Sequence, residues 1–170
     1  MKNDYVCTSI NKSHWFKYTN NRWKRNDSGT SLRRAISEDM RSLYAAKNLD
    51  VTKLLSIHCS TQDVSDPIQQ KKSDTFKILI RKISRILELL KCTTKKNLLM
   101  IEAKELFYDN DFIEKLDTNP YLLCFNNGVF DFKEKIFRAG RPDDYISLCT
   151  NIDYIPLSAR TKDIQKEIHG

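Results

Sequence analysis

The sequence predicts an α+β fold: an N-terminal β-hairpin, three or four helices, then a small C-terminal antiparallel β element. Three observations carry the prediction. Aromatic strand formers flank an Asn-rich connection within residues 14–25, apolar residues recur at helical spacing between 32 and 107, and short apolar runs at 121–125 and 129–132 flank an Asn-Gly pair. Strand and helix signals fall in blocks rather than in βαβ alternation, and no internal repeat is visible.

In the hairpin, His14, Trp15, Phe16, Lys17 and Tyr18 form one strand, Thr19, Asn20 and Asn21 the turn, and Arg22, Trp23, Lys24 and Arg25 the return. On the first strand His14, Phe16 and Tyr18 share a face, while Trp15 and Lys17 share the other. Trp15 and Trp23 interleaved with Lys17, Arg22, Lys24 and Arg25 match a platform for single-stranded nucleic acid, where rings take bases and cations take phosphates. The same tryptophans also fit cross-strand and core packing.

Residues 27–31 supply a turn and capping candidates for a helix over 32–47, with Leu32, Ala35, Ile36, Met40, Leu43 and Tyr44 apolar. Residues 48–74 are polar and Pro-interrupted, and are expected to be a loop-rich insertion with a short helix at 50–57. Residues 75–91 give the clearest helix, whose stripe runs through Phe76, Leu79, Ile80, Ile83, Ile86, Leu87 and Leu90. On its polar side Lys77, Arg81 and Arg85 stand four residues apart, a ridge of like charges about 12 Å long that suits a bound anion or a solvated surface. A helix over 95–108 and a helical turn over 111–116 follow. The C-terminal β element then reads as strand, Asn-Gly turn and strand, with Gly128 expected at positive φ, and a further turn leads into 136–138.

The chain has 170 residues, 20.0 kDa, 40% hydrophobic residues, four Gly and four Pro, the composition of one globular domain rather than of a disordered or collagen-like chain. Its apolar runs fall far short of the roughly 20 residues that cross a bilayer, and the N-terminus lacks a signal-peptide core, so a soluble intracellular chain with no membrane contact is expected. Five widely spaced cysteines exclude a dense disulfide framework and a Cys-x-x-Cys motif; reduced, mostly buried thiols are expected. The net charge of +7 is uneven. The first hundred residues are basic and the last seventy acidic, as for a surface that faces a polyanion at one end and protein at the other.

Several chemistries are excluded. Gly29, Gly128, Gly140 and Gly170 form neither a phosphate-binding loop nor a dinucleotide fingerprint. His14, His58 and His169 stand apart, and His58 and Cys59 are adjacent without further ligands; sequence order leaves a Ser-His-Asp or Cys-His site open, but no nucleophile elbow accompanies these histidines. Asp109 with Asp111, and Asp143 with Asp144, read as helix-end and turn residues rather than metal ligands. No catalytic residue, metal or cofactor is assigned.

The run DTNPYLLCFNNGVFDF at 117–132, then FRAGRPDDY at 137–145 and DY at 153–154, resembles the signature of the accessory domain that precedes the helicase core in poxvirus and giant-virus helicase-primases. The hairpin and the helix at 32 resemble that domain's beginning, so the likeness covers nearly the whole chain. It implies a superfamily 3 replicative NTPase related to the C-terminal regions of phage and plasmid primases, a hexameric ring acting on single-stranded or forked DNA at a viral replication site in the infected cell's cytoplasm. ATP and Mg are implied only for a downstream helicase core. Walker and arginine-finger residues are absent from this sequence, and a linker toward that core is expected at 162–170. The chain therefore reads as one accessory domain over 1–170, whether a fragment or a split gene product. Its signature residues are implied to be structural: Asn119, Pro120, Asn126, Asn127, Gly128, Asp131, Arg138, Gly140, Arg141, Pro142, Asp144, Tyr145 and Tyr154. A stand-alone basic nucleic-acid-binding module and a pure oligomerisation domain are the two alternatives.

Overall fold

The computed structural model describes residues 3–61 and 67–156, and the linker expected at 162–170 lies outside the described residues. The α+β class holds, with two three-stranded antiparallel sheets and a helical block. The chain forms two compact units, Met1–Ser28 with Phe107–Gly170, and Gly29–Leu106. The reason is topological, since the helices are inserted between the two β segments and have apolar residues of their own to bury.

In the first unit, β1 (Tyr5–Ser9), β2 (His14–Thr19) and β3 (Arg22–Asp27) pair in sequence order. The expected hairpin thus has a third strand. Asn20 and Asn21 join β2 to β3 with φ of 52° and 63°, the left-handed pair that a tight hairpin matched to strand twist requires. Aromatic side chains pack against part of each face of this sheet. Tyr5 and Trp15, on one face, meet Phe107, whereas Phe16 and Trp23, on the other, meet Phe112. The free edges are occupied too: Cys7 exchanges backbone hydrogen bonds with Phe107 and Asp109, and Trp23 N–H donates to the Ile146 carbonyl.

The second sheet, β4 (Leu122–Phe125), β5 (Gly128–Asp131) and β6 (Ile136–Arg138), also follows sequence order. Register places Phe125 opposite Gly128, so the connection is Asn126-Asn127 and Gly128 already belongs to the strand. This corrects the expected role of Gly128, which is not at positive φ. A Cβ there would lie 2.6 Å from the Phe137 ring and 2.7 Å from the Arg138 carbonyl, so close approach to β6 is what demands glycine.

The second unit is helical: α1 (Thr30–Ala35), a π-helical segment (Ile36–Met40), α2 (Arg41–Thr61), α3 (Pro67–Lys91) and α4 (Thr93–Leu106). Gly29, at φ 67°, turns the chain into α1. At the π-segment, Ser37 and Ser42 hydroxyls donate to the carbonyls of Arg33 and Glu38, competing with the regular ladder, while Lys96 Nζ donates to Ser37 Oγ from α4. The loop-rich insertion expected at 48–74 is overturned: 48–61 end α2 and 67–74 begin α3. Pro67 starts a helix instead of breaking one, because a first-turn N–H has no intrahelical partner to lose. Residues 62–66 of that expectation lie outside the described residues. From Phe107 the chain is again in the first unit, which also holds the short helix α5 (Phe112–Lys115).

Candidate nucleic-acid interface

Strand register sorts the hairpin candidates. Lys17 stands directly opposite Lys24 and Tyr18 opposite Trp23, so Lys17, Lys24 and the next residue along that face, Arg22, share one side of the sheet. Arg25, opposite Phe16, is on the other side. Lys17 Nζ lies 5.6 Å from the Tyr5 ring centroid, and Arg22 Nη2 donates to Asn151 Oδ1 at 3.3 Å. Neither lysine has a carboxylate partner among the described residues. Like charges set opposite each other destabilise a strand pair, so an anion laid over this face would relieve a built-in repulsion.

The tryptophans do not serve that surface. Trp15 is fully buried and Trp23 is 4% exposed; the Trp23 ring sits between Tyr18 and Phe112, and its Nε1–H donates to the Pro142 carbonyl at 2.8 Å. The stacking platform is therefore corrected to core packing. Hairpins usually bury one face, but here 107–109 cover one side and Phe112 the other, leaving neither ring open to a base.

On α3, Lys77, Arg81 and Arg85 are all exposed. Lys77 is 3.5 Å from Asp74, and the two arginines have no carboxylate partner among the described residues. This ridge belongs to the helical unit and the Lys17, Arg22 and Lys24 group to the β unit.

The signature residues all lie in the β unit. Arg138 donates both Nη groups to Asp144 at 2.8 Å, with Asp131 at 3.6 Å; hydrogen bonding to Asp144, against the opposing effect of burial, raises its pKa further. Asp144 also accepts from the Arg141 backbone N–H at 2.8 Å, closing a 3-10 turn (Pro142–Asp144) that ends with Tyr145 at φ 50°. The Asn127 side chain clamps the Tyr154 backbone through two hydrogen bonds of 2.9 and 3.0 Å, and the Tyr154 ring stacks on Phe137 with centroids 4.4 Å apart. Asn126 N–H donates to the Ile152 carbonyl, Asn119 Oδ1 accepts from Tyr121 N–H, and Pro120 is exposed beside them. Gly140 N–H donates to Asn21 Oδ1 at 3.0 Å, and a Cβ on Gly140 would lie 2.7 Å from the Tyr18 hydroxyl. The Tyr18 pKa is pushed up to about 12 by burial first and the Asp144 charge second.

Two residues that organise this unit read in the sequence only as a turn residue and as the start of the signature run, with no assigned role of their own. Asn21 ties the hairpin turn to Gly140 and to the Asn126 carbonyl, and the Asp117 carboxylate accepts from the Ser147 and Leu148 backbone and from the Ser147 hydroxyl. Asn and Asp are ordinary turn residues, so only the fold reveals these long-range bonds. No group of three or more His, Cys, Asp or Glu side chains able to hold a metal occurs among the described residues, and no described helix is long and apolar enough to cross a membrane.

Comparison with known proteins gives this β unit and its helical insertion a context. A protein of Acanthamoeba polyphaga mimivirus, provisionally named as a helicase, is 37% identical over 166 residues, covering 98% of this chain and 16% of the relative. A similarly named protein of Frog virus 3 is 26% identical over 172 residues, covering 89% of this chain and 18% of the relative. One from Invertebrate iridescent virus 3 is 40% identical over 74 residues, covering 44% of this chain and 8% of the relative. The chain spans less than a fifth of the length of these relatives. The model of the family described as D5 N terminal like matches residues 1–170, so the match takes in the signature turns, the hairpin and the inserted helices together. This chain belongs to the D5 N terminal like family.

Proposed function

We propose that this chain is the accessory N-terminal portion of a viral helicase-primase of superfamily 3 type, which engages single-stranded or forked DNA beside a downstream ring that uses ATP and Mg, at a replication site in the host cytoplasm. The helicase context is supported by the names of the viral relatives. One observation carries the DNA-engaging role: Lys17 and Lys24 face each other with Arg22 alongside, and no carboxylate among the described residues neutralises either lysine. Such a group binds a phosphate backbone without reading sequence, since counterions are released whatever the bases are.

Fluorescence anisotropy of labelled single-stranded and forked DNA against the full chain tests this. Saturable binding is expected, and Lys17→Gln/Arg22→Gln/Lys24→Gln should weaken it about tenfold or more and lower the slope of log K against log salt by about 2 for three lost phosphate contacts. Lys77→Glu/Arg81→Glu/Arg85→Glu, read beside it, reports whether the α3 ridge shares the contact. No binding at low salt removes the DNA-engaging role.

A second reading, assembly into a hexamer, is supported by the helical unit's own surface. Leu43 is 70% exposed and Leu106 74%, with Leu49, Leu54 and Ile57 also open, an apolar excess that suits protein contact. Sedimentation of the chain over a hundredfold concentration range should then show self-association that Leu54→Ser/Ile57→Ser abolishes. A monomer throughout would exclude assembly through this unit alone.

A further inference from the structure

We propose that Cys124 and Cys149 are a redox-sensitive pair that closes, in the folded chain, into a reversible disulfide fastening residues 145–152 to β4. Those residues run as a strap between the two sheets. The Tyr145 carbonyl accepts from Asp117 N–H, the Ile146 carbonyl accepts from Trp23 N–H on β3, and the Asp117 carboxylate holds the Ser147 and Leu148 N–H groups. Further along, Thr150 N–H and the Thr150 hydroxyl both donate to the Cys124 carbonyl, at 3.0 and 3.1 Å, and the Ile152 carbonyl accepts from Asn126 N–H. The strap thus passes from the edge of β3 to the edge of β4, and Cys149 immediately precedes the residue bonded to Cys124.

Side-chain packing brings the thiols together. Cys124 is 2% exposed, clustered with Val129 and Ile146, and the half-buried Cys149 packs against that cluster. The two thiols share a hydrogen bond, which after burial is the next cause that pushes the Cys124 thiol up to about 12. Thiols in such contact need only side-chain rotation to reach bonding geometry. A cavity of about 350 Å³ opens beside them, lined by both cysteines with Leu122, Ile146 and Leu148 among others. A reagent from solvent therefore meets Cys149 before Cys124. The exposed cysteines, Cys59 and Cys92, belong to the helical unit.

Oxidised glutathione, a small-molecule disulfide, serves as the oxidant. Cys149 gives up its proton and its thiolate attacks one glutathione sulfur; the glutathione S–S bond breaks and one glutathione leaves, taking up a proton. Cys124 then loses its proton and attacks Cys149 Sγ, which breaks the mixed disulfide and releases the second glutathione. Two protein thiols are oxidised to one disulfide, and one oxidised glutathione is reduced to two thiols. Excess reduced glutathione runs both steps backward. The second step is the slower, because burial keeps the Cys124 thiolate scarce. None of this depends on the DNA-engaging reading above.

The test uses the full chain carrying Cys59→Ser/Cys92→Ser, with the unmodified chain beside it in case that background does not fold. Each is equilibrated in mildly alkaline buffers of graded oxidised-to-reduced glutathione, quenched with acid, alkylated, digested and mapped by mass spectrometry without reduction. The expected result is a linked pair of peptides holding Cys124 and Cys149, whose yield rises with oxidised glutathione and vanishes in excess reduced glutathione. Cys124→Ser should stop at a glutathione adduct on Cys149, whereas Cys149→Ser should leave Cys124 largely unmodified. Closing a loop of about 25 residues should lower the unfolding constant on the order of a hundredfold, read as a raised urea midpoint in tryptophan fluorescence. A Cys149 adduct that never proceeds to the linked pair, or a linked pair that forms only in urea, overturns the proposal. A linked chain whose urea midpoint equals or falls below that of the reduced chain overturns the fastening of the strap, since the bond then strains the fold.

Discussion

Tyr18, Gly128 and Cys92 show how single side chains answer to their surroundings. The Tyr18 hydroxyl lacks a hydrogen-bond partner among the described residues, and its pKa of about 12 lies above the ordinary value near 10. The folded state therefore holds this proton more tightly than the unfolded state. The stability it contributes is present below about pH 10 and is lost as pH rises toward 12. Tyr18→Phe should flatten that part of a urea-midpoint against pH profile; an unchanged alkaline loss would place its origin elsewhere. Gly128→Ala should cost about 1–3 kcal/mol in chemical denaturation, since its Cβ would enter the Phe137 ring. Cysteine burial departs from expectation: Cys7 and Cys124 are buried and Cys149 is half-buried, but Cys59 and Cys92 are exposed. The Lys95 backbone N–H, with further help from Thr94, lowers the Cys92 pKa, whereas burial pushes Cys124 up to about 12. Mass-spectrometric mapping of limited iodoacetamide labelling should thus find Cys92 modified ahead of Cys59, and Cys124 last.

At the level of elements, the signature turn and the helical insertion obey different rules. Arg138 ties β6 to β5 and to the 3-10 turn through Asp131 and Asp144, half-buried and bidentate. Asp144→Asn should destabilise the chain by about 1.5–3 kcal/mol, as for a hydrogen bond to a charged group, and Arg138→Lys should not restore what is lost because ammonium has no fork. Urea midpoints within error of the unmodified chain would show the pair to be dispensable. These turns were legible as turns because Asn, Gly, Pro and Asp announce themselves locally. Helix α2 was not legible as one helix, since its apolar residues follow no stripe: Val51 is buried, but Leu43, Leu49, Leu54 and Ile57 are exposed. In α3 the stripe is regular, and Ile83 and Leu90 are buried where the period puts them. Ile83→Ala should cost about 2–4 kcal/mol and Leu43→Ala less than about 0.5, measured by thermal or urea unfolding.

At the scale of the whole molecule, the two compact units are expected to unfold in separate transitions. Both tryptophans report the β unit, while helical ellipticity reports mainly Gly29–Leu106, so fluorescence and far-ultraviolet circular dichroism should give urea transitions that do not coincide. Coincident transitions would show one cooperative block. The sequence by itself determined the α+β order, the hairpin, the α3 stripe with its exposed basic ridge and the family signature, because each is encoded in local period, turn chemistry or an ordered run of residues. Tertiary structure alone decided that Trp15 and Trp23 are core, that Gly128 answers to a neighbouring ring rather than to φ, that Pro67 opens a helix, and that Lys17, Arg22 and Lys24 gather on one face. The physical reason is the same in each case. Burial, close approach and the facing of charges are set by which distant segments pack together, and local pattern does not contain that information.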